Sequence, residues 1–151
     1  MQIELYPLEK MVIDEKDIYL GCDRQTVTAL LGNAEAVHEQ YGGETQRHYY
    51  HNSELALDYD KNDRLEFIEF LGGHDGGLKP YIYGVSAFDT KRDELARILS
   101  EHNDGDVYDG EEDFYSFHGI SVGVWAENDD DDYWMTIGIG VKPTNKKSSI
   151  N

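Results

Sequence analysis

Apolar residues recur at helical spacing in two short stretches and alternate with polar residues along most of the rest of the chain. After Ile18-Tyr19-Leu20-Gly21, residues Val27, Leu30 and Leu31 fall at i, i+3 and i+4, the spacing of one helix face. Asp23 is placed to cap that helix and Gly32 to stop it. A second helix is expected to open at Asp89-Thr90, where Thr90 and Asp93 imitate a capping box. Leu95, Ile98 and Leu99 repeat the spacing, Asp93 and Arg97 can pair across a turn, and His102-Asn103 ends the segment. Both helices are short and one-sided, so each needs an apolar surface beneath it.

Elsewhere the period is two. Leu55, Leu57 and Tyr59 share one side of a strand, with Glu54, Ala56 and Asp58 on the other. Lys61-Asn62-Asp63 turns the chain into a strand from Leu65 to Leu71. Ile120, Val122, Val124 and Ala126 alternate with Ser121, Gly123 and Trp125; Asn128 to Asp132 is the turn, and Tyr133 to Val141 the return strand.

A shift of 67 positions lays Leu55 on Val122, Leu57 on Val124 and His51 on His118, while a shift of 68 lays Val27 on Leu95 and Leu31 on Leu99. The pattern predicts an α+β domain over 1–141, built as an internal duplication with halves at about 1–73 and 78–141. Its antiparallel meander sheet carries both helices on one face, and 142–151 form a polar tail. If the helices cover the face bearing Leu55, Leu57, Val122 and Val124, the opposite face is open. That face would present Glu54, Ala56 and Asp58 beside Ser121, Gly123 and Trp125. Small residues, acids and one large aromatic suit another protein's side chains.

Charge narrows the choice of partner. The 151 residues include 31 Asp and Glu against 13 Lys and Arg, a net charge of -18. With 11 Tyr, 5 Phe and 2 Trp, the chain has the aromatic content of a folded domain. The acidity argues against nucleic acid and anionic membranes as partners and is suited to a basic protein. It is concentrated: Glu101 to Asp132 contains 12 acidic residues and no Lys or Arg. Met1 to Lys10 has neither the basic start nor the apolar run of a signal peptide, and Cys22 stands alone, so a soluble cytoplasmic protein is expected.

No P-loop, GxSxG, HExxH or CxxC motif is present, and neither an enzyme nor a cofactor is expected. Cys22 beside a helix start reads as structural. His74-Asp75-Gly76-Gly77 reads as a flexible connection between the halves. Asn103-Asp104-Gly105-Asp106 and Asp129-Asp130-Asp131-Asp132 offer hard oxygen ligands, which leaves a calcium-binding interaction module as an alternative, but neither has the EF-hand order.

The stretch from Ile18 through Gly21, Val27, Leu30 and Leu31 to Gly32 resembles the opening of SmpA/OmlA-like and β-lactamase-inhibitor-like domains, which are helix-plus-sheet units. The run Tyr83-Gly84-Val85-Ser86-Ala87-Phe88, followed by Asp93-Glu94-Leu95, Tyr115-Ser116-Phe117 and Val122-Gly123-Val124-Trp125, is similar to small bacterial immunity proteins. Those proteins neutralise toxins of contact-dependent inhibition and other polymorphic toxin systems. The resemblance implies an immunity protein that blocks a cognate toxin domain, and the acidity points to a basic nuclease as that domain, held by charge complementarity and occluded. Inhibition of another enzyme class, of β-lactamase or protease type, is the alternative. Glu111, Glu112, Asp113, Asp129, Asp130, Asp131 and Asp132, with neighbouring Asp109, are the candidates for steering the partner. Tyr108, Trp125 and Asp58 are the candidates for contact energy.

Overall fold

The computed structural model describes residues 1–111 and 113–141. Three short strands, β1 (Ile3–Tyr6), β2 (Lys10–Ile13) and β3 (Lys16–Tyr19), lead into helix α1 (Arg24–Leu31). Strands β4 (Ala36–Gln40), β5 (Thr45–Tyr50), β6 (Leu55–Tyr59) and β7 (Leu65–Phe70) follow. Two-residue strands β8 (Tyr81–Ile82) and β9 (Val85–Ser86) then lead into α2 (Arg92–His102). Four strands follow again: β10 (Val107–Glu111), β11 (Phe114–Phe117), β12 (Val122–Trp125) and β13 (Thr136–Gly140). The α+β class expected from the alternation is correct. No described helix is long and apolar enough to cross a membrane.

The strands form two sheets rather than the one meander expected. The larger has eight strands in the order β10-β11-β12-β13-β7-β6-β5-β4, and the smaller has five, β3-β2-β1-β8-β9. In the larger sheet each meander is antiparallel throughout, and the two meet where β7 runs antiparallel to β13, with Ile68 opposite Ile139 and Glu69 opposite Gly138. In the smaller sheet β8 joins β1 in parallel. The sequence pattern could not anticipate that pairing, because two-residue strands carry no readable period.

Leu55, Leu57, Val122 and Val124 are fully buried, as the alternation predicts, and so are Ile68, Ile137 and Ile139 between them. The same apolar core takes Val27 from α1, Leu95 and Leu99 from α2, and Leu5, Met11, Ile18 and Ile82 from the smaller sheet. A slip in register between Asp58 and Tyr59 lets both Leu65 and Ile68 point into the core.

Helix α1 begins and ends as its sequence predicts. The Asp23 carboxylate accepts the Thr26 N–H at 2.9 Å, and Gly32 ends the helix at φ 84°. Helix α2 starts later than expected, at Arg92, and Lys91 precedes it with no side-chain cap. Asp93 and Glu94 in its first turn complement the helix dipole instead. Arg97 pairs with Glu94 and Glu101 rather than with Asp93. The connection between the two meander-bearing stretches is pinned. Glu54, expected on the open face, turns away to accept the N–H groups of Gly77 and Leu78, each at 2.9 Å.

Candidate protein-binding face

Side chains alternate along a strand and paired residues share a face, so the register assigns the second face of the large sheet. Ala56, Glu69, Gly138, Gly123 and Ser116 lie side by side across its middle on β6, β7, β13, β12 and β11. Tyr108 on β10 continues that row at one end and Tyr49 on β5 at the other. On one side runs Phe114-Trp125-Thr136, and on the other Arg47-Asp58-Phe67-Gly140. Trp125 and Tyr108 are both 42% exposed on this one face, a degree of exposure shared elsewhere by Tyr6, Tyr19 and Tyr81.

Small residues in the middle and aromatics beside them make a trough of about 390 Å³. Its lining includes Phe67, Glu69, Leu71, Phe114, Gly123 and Trp125. Beside it, two glycines of β13 fit closely against neighbouring side chains. A Cβ on Gly138 would overlap the Phe67 ring, and one on Gly140 would come within 2.8 Å of the Ser121 hydroxyl. The Tyr108 and Phe114 rings sit 5.8 Å apart, and Phe114 pairs across the strands with Trp125.

A charged triad borders the trough. Arg47 donates from Nε to Asp58 at 2.7 Å and from one terminal nitrogen to Asp58 at 3.0 Å and Glu69 at 2.8 Å. The arginine and Asp58 side chains are each 16% exposed, so the contacts are shielded from water. The hydrogen bonds from Arg47 to Asp58, then the one to Glu69, hold the guanidinium firmly charged against the cost of burial. One cation faces two carboxylates, and the triad carries a net negative charge.

Among the expected contact residues, Asp58, Tyr108 and Trp125 are brought onto one face, with Asp58 already engaged by Arg47. The steering residues lie at one end of it. Asp113 begins the β11 approach and Asp129, Asp130, Asp131 and Asp132 make the β12–β13 loop, both beside the end of β12: Ala126 donates to the Asp113 carbonyl and Met135 to that of Trp125, each at 2.8 Å. Asp109 is exposed on the edge strand β10, which also contains Glu111, whereas Glu112 lies outside the described residues.

Part of this acidity is structural. Arg92 donates to the carbonyls of Asn128 and Asp131 and contacts the Asp113 carboxylate at 3.3 Å, while its own carbonyl accepts the Trp134 indole N–H. The Asp131 carboxylate accepts the Asn128 N–H at 2.9 Å, closing the turn. Partial burial and a hydrogen bond shared with Asp129 push the Asp113 carboxyl above its ordinary value, against the pull of Arg92. Asp129, Asp130 and Asp132 remain exposed.

Sequence reasoning missed Phe67, Glu69, Leu71, Phe114 and Arg47. The alternation from Leu65 to Leu71 already puts Phe67, Glu69 and Leu71 on one side. That this side continues into Gly138 and Trp125 depends on the β7–β13 pairing. Burial, then the neighbouring Asp23, pushes the Cys22 thiol up, which makes it a poor nucleophile and fits a structural role. Among the described residues, no group of three or more His, Cys, Asp or Glu side chains is placed to hold a metal ion. His74 contacts Asp89 at 2.9 Å and stacks on Tyr133 at 4.0 Å. Comparison with protein-family models, with curated proteins and with solved structures gives no match.

Proposed function

We propose that this chain is a bacterial immunity protein that binds a cognate toxin domain, a basic nuclease, and occludes its active site. The observation that carries the reading is the trough-bearing face of the eight-stranded sheet, with Trp125 and Tyr108 exposed and acidic loops at one end. Exposed aromatics supply contact energy in most protein interfaces, and acids outside the contact accelerate encounter with a basic partner. In this reading the Lys and Arg that hold RNA or DNA in the toxin meet Asp109, Glu111, Glu112, Asp113 and Asp129 to Asp132 instead. The inhibitor contributes no cofactor and no chemistry, and it acts in the cytoplasm of the toxin-producing cell.

The recurrence of short strands, one helix and a four-stranded meander supports descent from an internal duplication. Val27, Leu95 and Leu99 of the helices share the core with Leu55 and Val122. On the sheet's other face Ala56 and Ser121 are buried rather than open as expected, and Trp125 and Tyr108 offer the exposed surface that supports a partner there. The breadth of that face also suits an inhibitor of another enzyme class, of β-lactamase or protease type, and the experiment separates the two. The chain is titrated into the product of the gene directly upstream, assayed as a nuclease, and into a β-lactamase and a serine protease. Stoichiometric loss of nuclease activity supports the immunity reading. Inhibition of either other enzyme with none of the nuclease overturns it.

A further inference from the structure

The trough has an apolar length and one charged end. Phe67, Phe114 and Trp125 provide its flat walls, and Glu69 supplies a carboxylate among its lining residues. Arg47 reaches only one Glu69 oxygen, Oε1, at 2.8 Å, having already spent two donors on Asp58. No described residue bonds the other oxygen, and a carboxylate offers about four lone-pair sites. The triad therefore ends the trough with one uncompensated negative charge beside aromatic faces.

We propose that the trough receives an arginine side chain of the partner protein. Its aliphatic stem and guanidinium plane lie against the aromatic walls, and its donors meet the free side of Glu69. This rests on the reading of the face as a protein-binding surface. Charge complementarity selects a cation for this end of a chain of net charge -18. The aromatic walls and the planar carboxylate select arginine over lysine, whose compact ammonium stacks less well and is more strongly hydrated.

A random peptide library displayed on phage, panned on the full chain and counter-selected against Trp125→Ala, tests this. Arginine should be enriched at one fixed position among Trp125-dependent binders. Replacing that arginine by citrulline, which keeps the shape and removes the charge, should weaken binding about tenfold or more, and Glu69→Gln should weaken the parent peptide similarly. The citrulline peptide leaves the protein intact, so its result stands even if Glu69→Gln disturbs Arg47. Trp125-dependent binders without arginine, or binders indifferent to citrulline, would overturn the arginine assignment and leave the face reading standing. Binders that never depend on Trp125 would overturn both.

Discussion

The Phe67 ring occupies the space that any side chain at position 138 would need, so Gly138 seats the ring that forms one wall of the trough. The relation crosses the junction between the two meanders, since Phe67 belongs to β7 and Gly138 to β13. It predicts that Gly138→Ala forces the ring out of its seat. Overpacking of this kind costs about 1–3 kcal/mol. Urea unfolding should show that loss with an unchanged m-value, and the displaced ring should narrow the trough enough to weaken partner binding. A variant as stable as the parent with unchanged binding would contradict the packing described.

Arg47 balances two carboxylates that are mostly shielded from water. Arg47→Met should destabilise the protein by about 1–3 kcal/mol, less than for a wholly buried pair because all three groups keep some solvent contact. Combining it with Asp58→Asn and Glu69→Gln should recover part of the loss, because the unpaired charges go with the arginine. Denaturant midpoints of the single and triple variants decide this.

His48 predicts a pH dependence. Its ring is buried against Tyr59, with Nε2 2.9 Å from the Gln46 side-chain oxygen. Burial, and then the positive charge of Arg24, lowers its pKa from the ordinary 6.5, with Asp63 acting against them. The unfolded chain therefore takes up this proton before the folded one does. The contribution to stability is fully present above about pH 6.5 and declines as pH falls towards the folded-state pKa. His48→Gln should lose that part of the slope between pH 7.5 and 5, whereas equal slopes for parent and variant would count against a neutral buried histidine.

The exposed loop acids should act on rate. Replacing Asp129, Asp130 and Asp132 with Asn keeps the Asp131 turn bond and the backbone contacts of Arg92. Association with a basic toxin domain should slow by about tenfold at low salt and lose much of its salt dependence, with dissociation little changed. Stopped-flow binding at two ionic strengths measures both. An unchanged association rate would remove the steering role.

Much of the fold was legible because its signals are local. Asp23, Val27 and Gly32 mark α1 with a cap, a buried position and a stop, and the alternation of Leu55 to Tyr59 and of Val122 to Trp125 defines two strands and their inward faces. The α2 start was misread because Thr90 looks like a cap, while the chain turns helical only after Lys91 without any side-chain cap. The small sheet was hidden by strands of two to four residues, too short for a period to emerge. Trp125 was legible as an exposed aromatic. Its trough was not, because Phe67 and Glu69 reach Gly138 only through a pairing of strands about 70 residues apart in sequence. Glu54 shows the reverse limit: its parity assigns a face, and two backbone N–H groups of a distant loop draw it elsewhere.

The central claim, that the trough-bearing face binds the partner, is tested most directly by the dissociation constants of Trp125→Ala and Tyr81→Ala for the proposed toxin partner. Both residues are exposed, at 42% and 45%, but Tyr81 belongs to the smaller sheet. The face reading predicts that Trp125→Ala weakens binding by about thirtyfold or more, as for an interface anchor, while Tyr81→Ala stays within about twofold of the parent. Parent-like affinity for Trp125→Ala, with the loss appearing at Tyr81 instead, would contradict it.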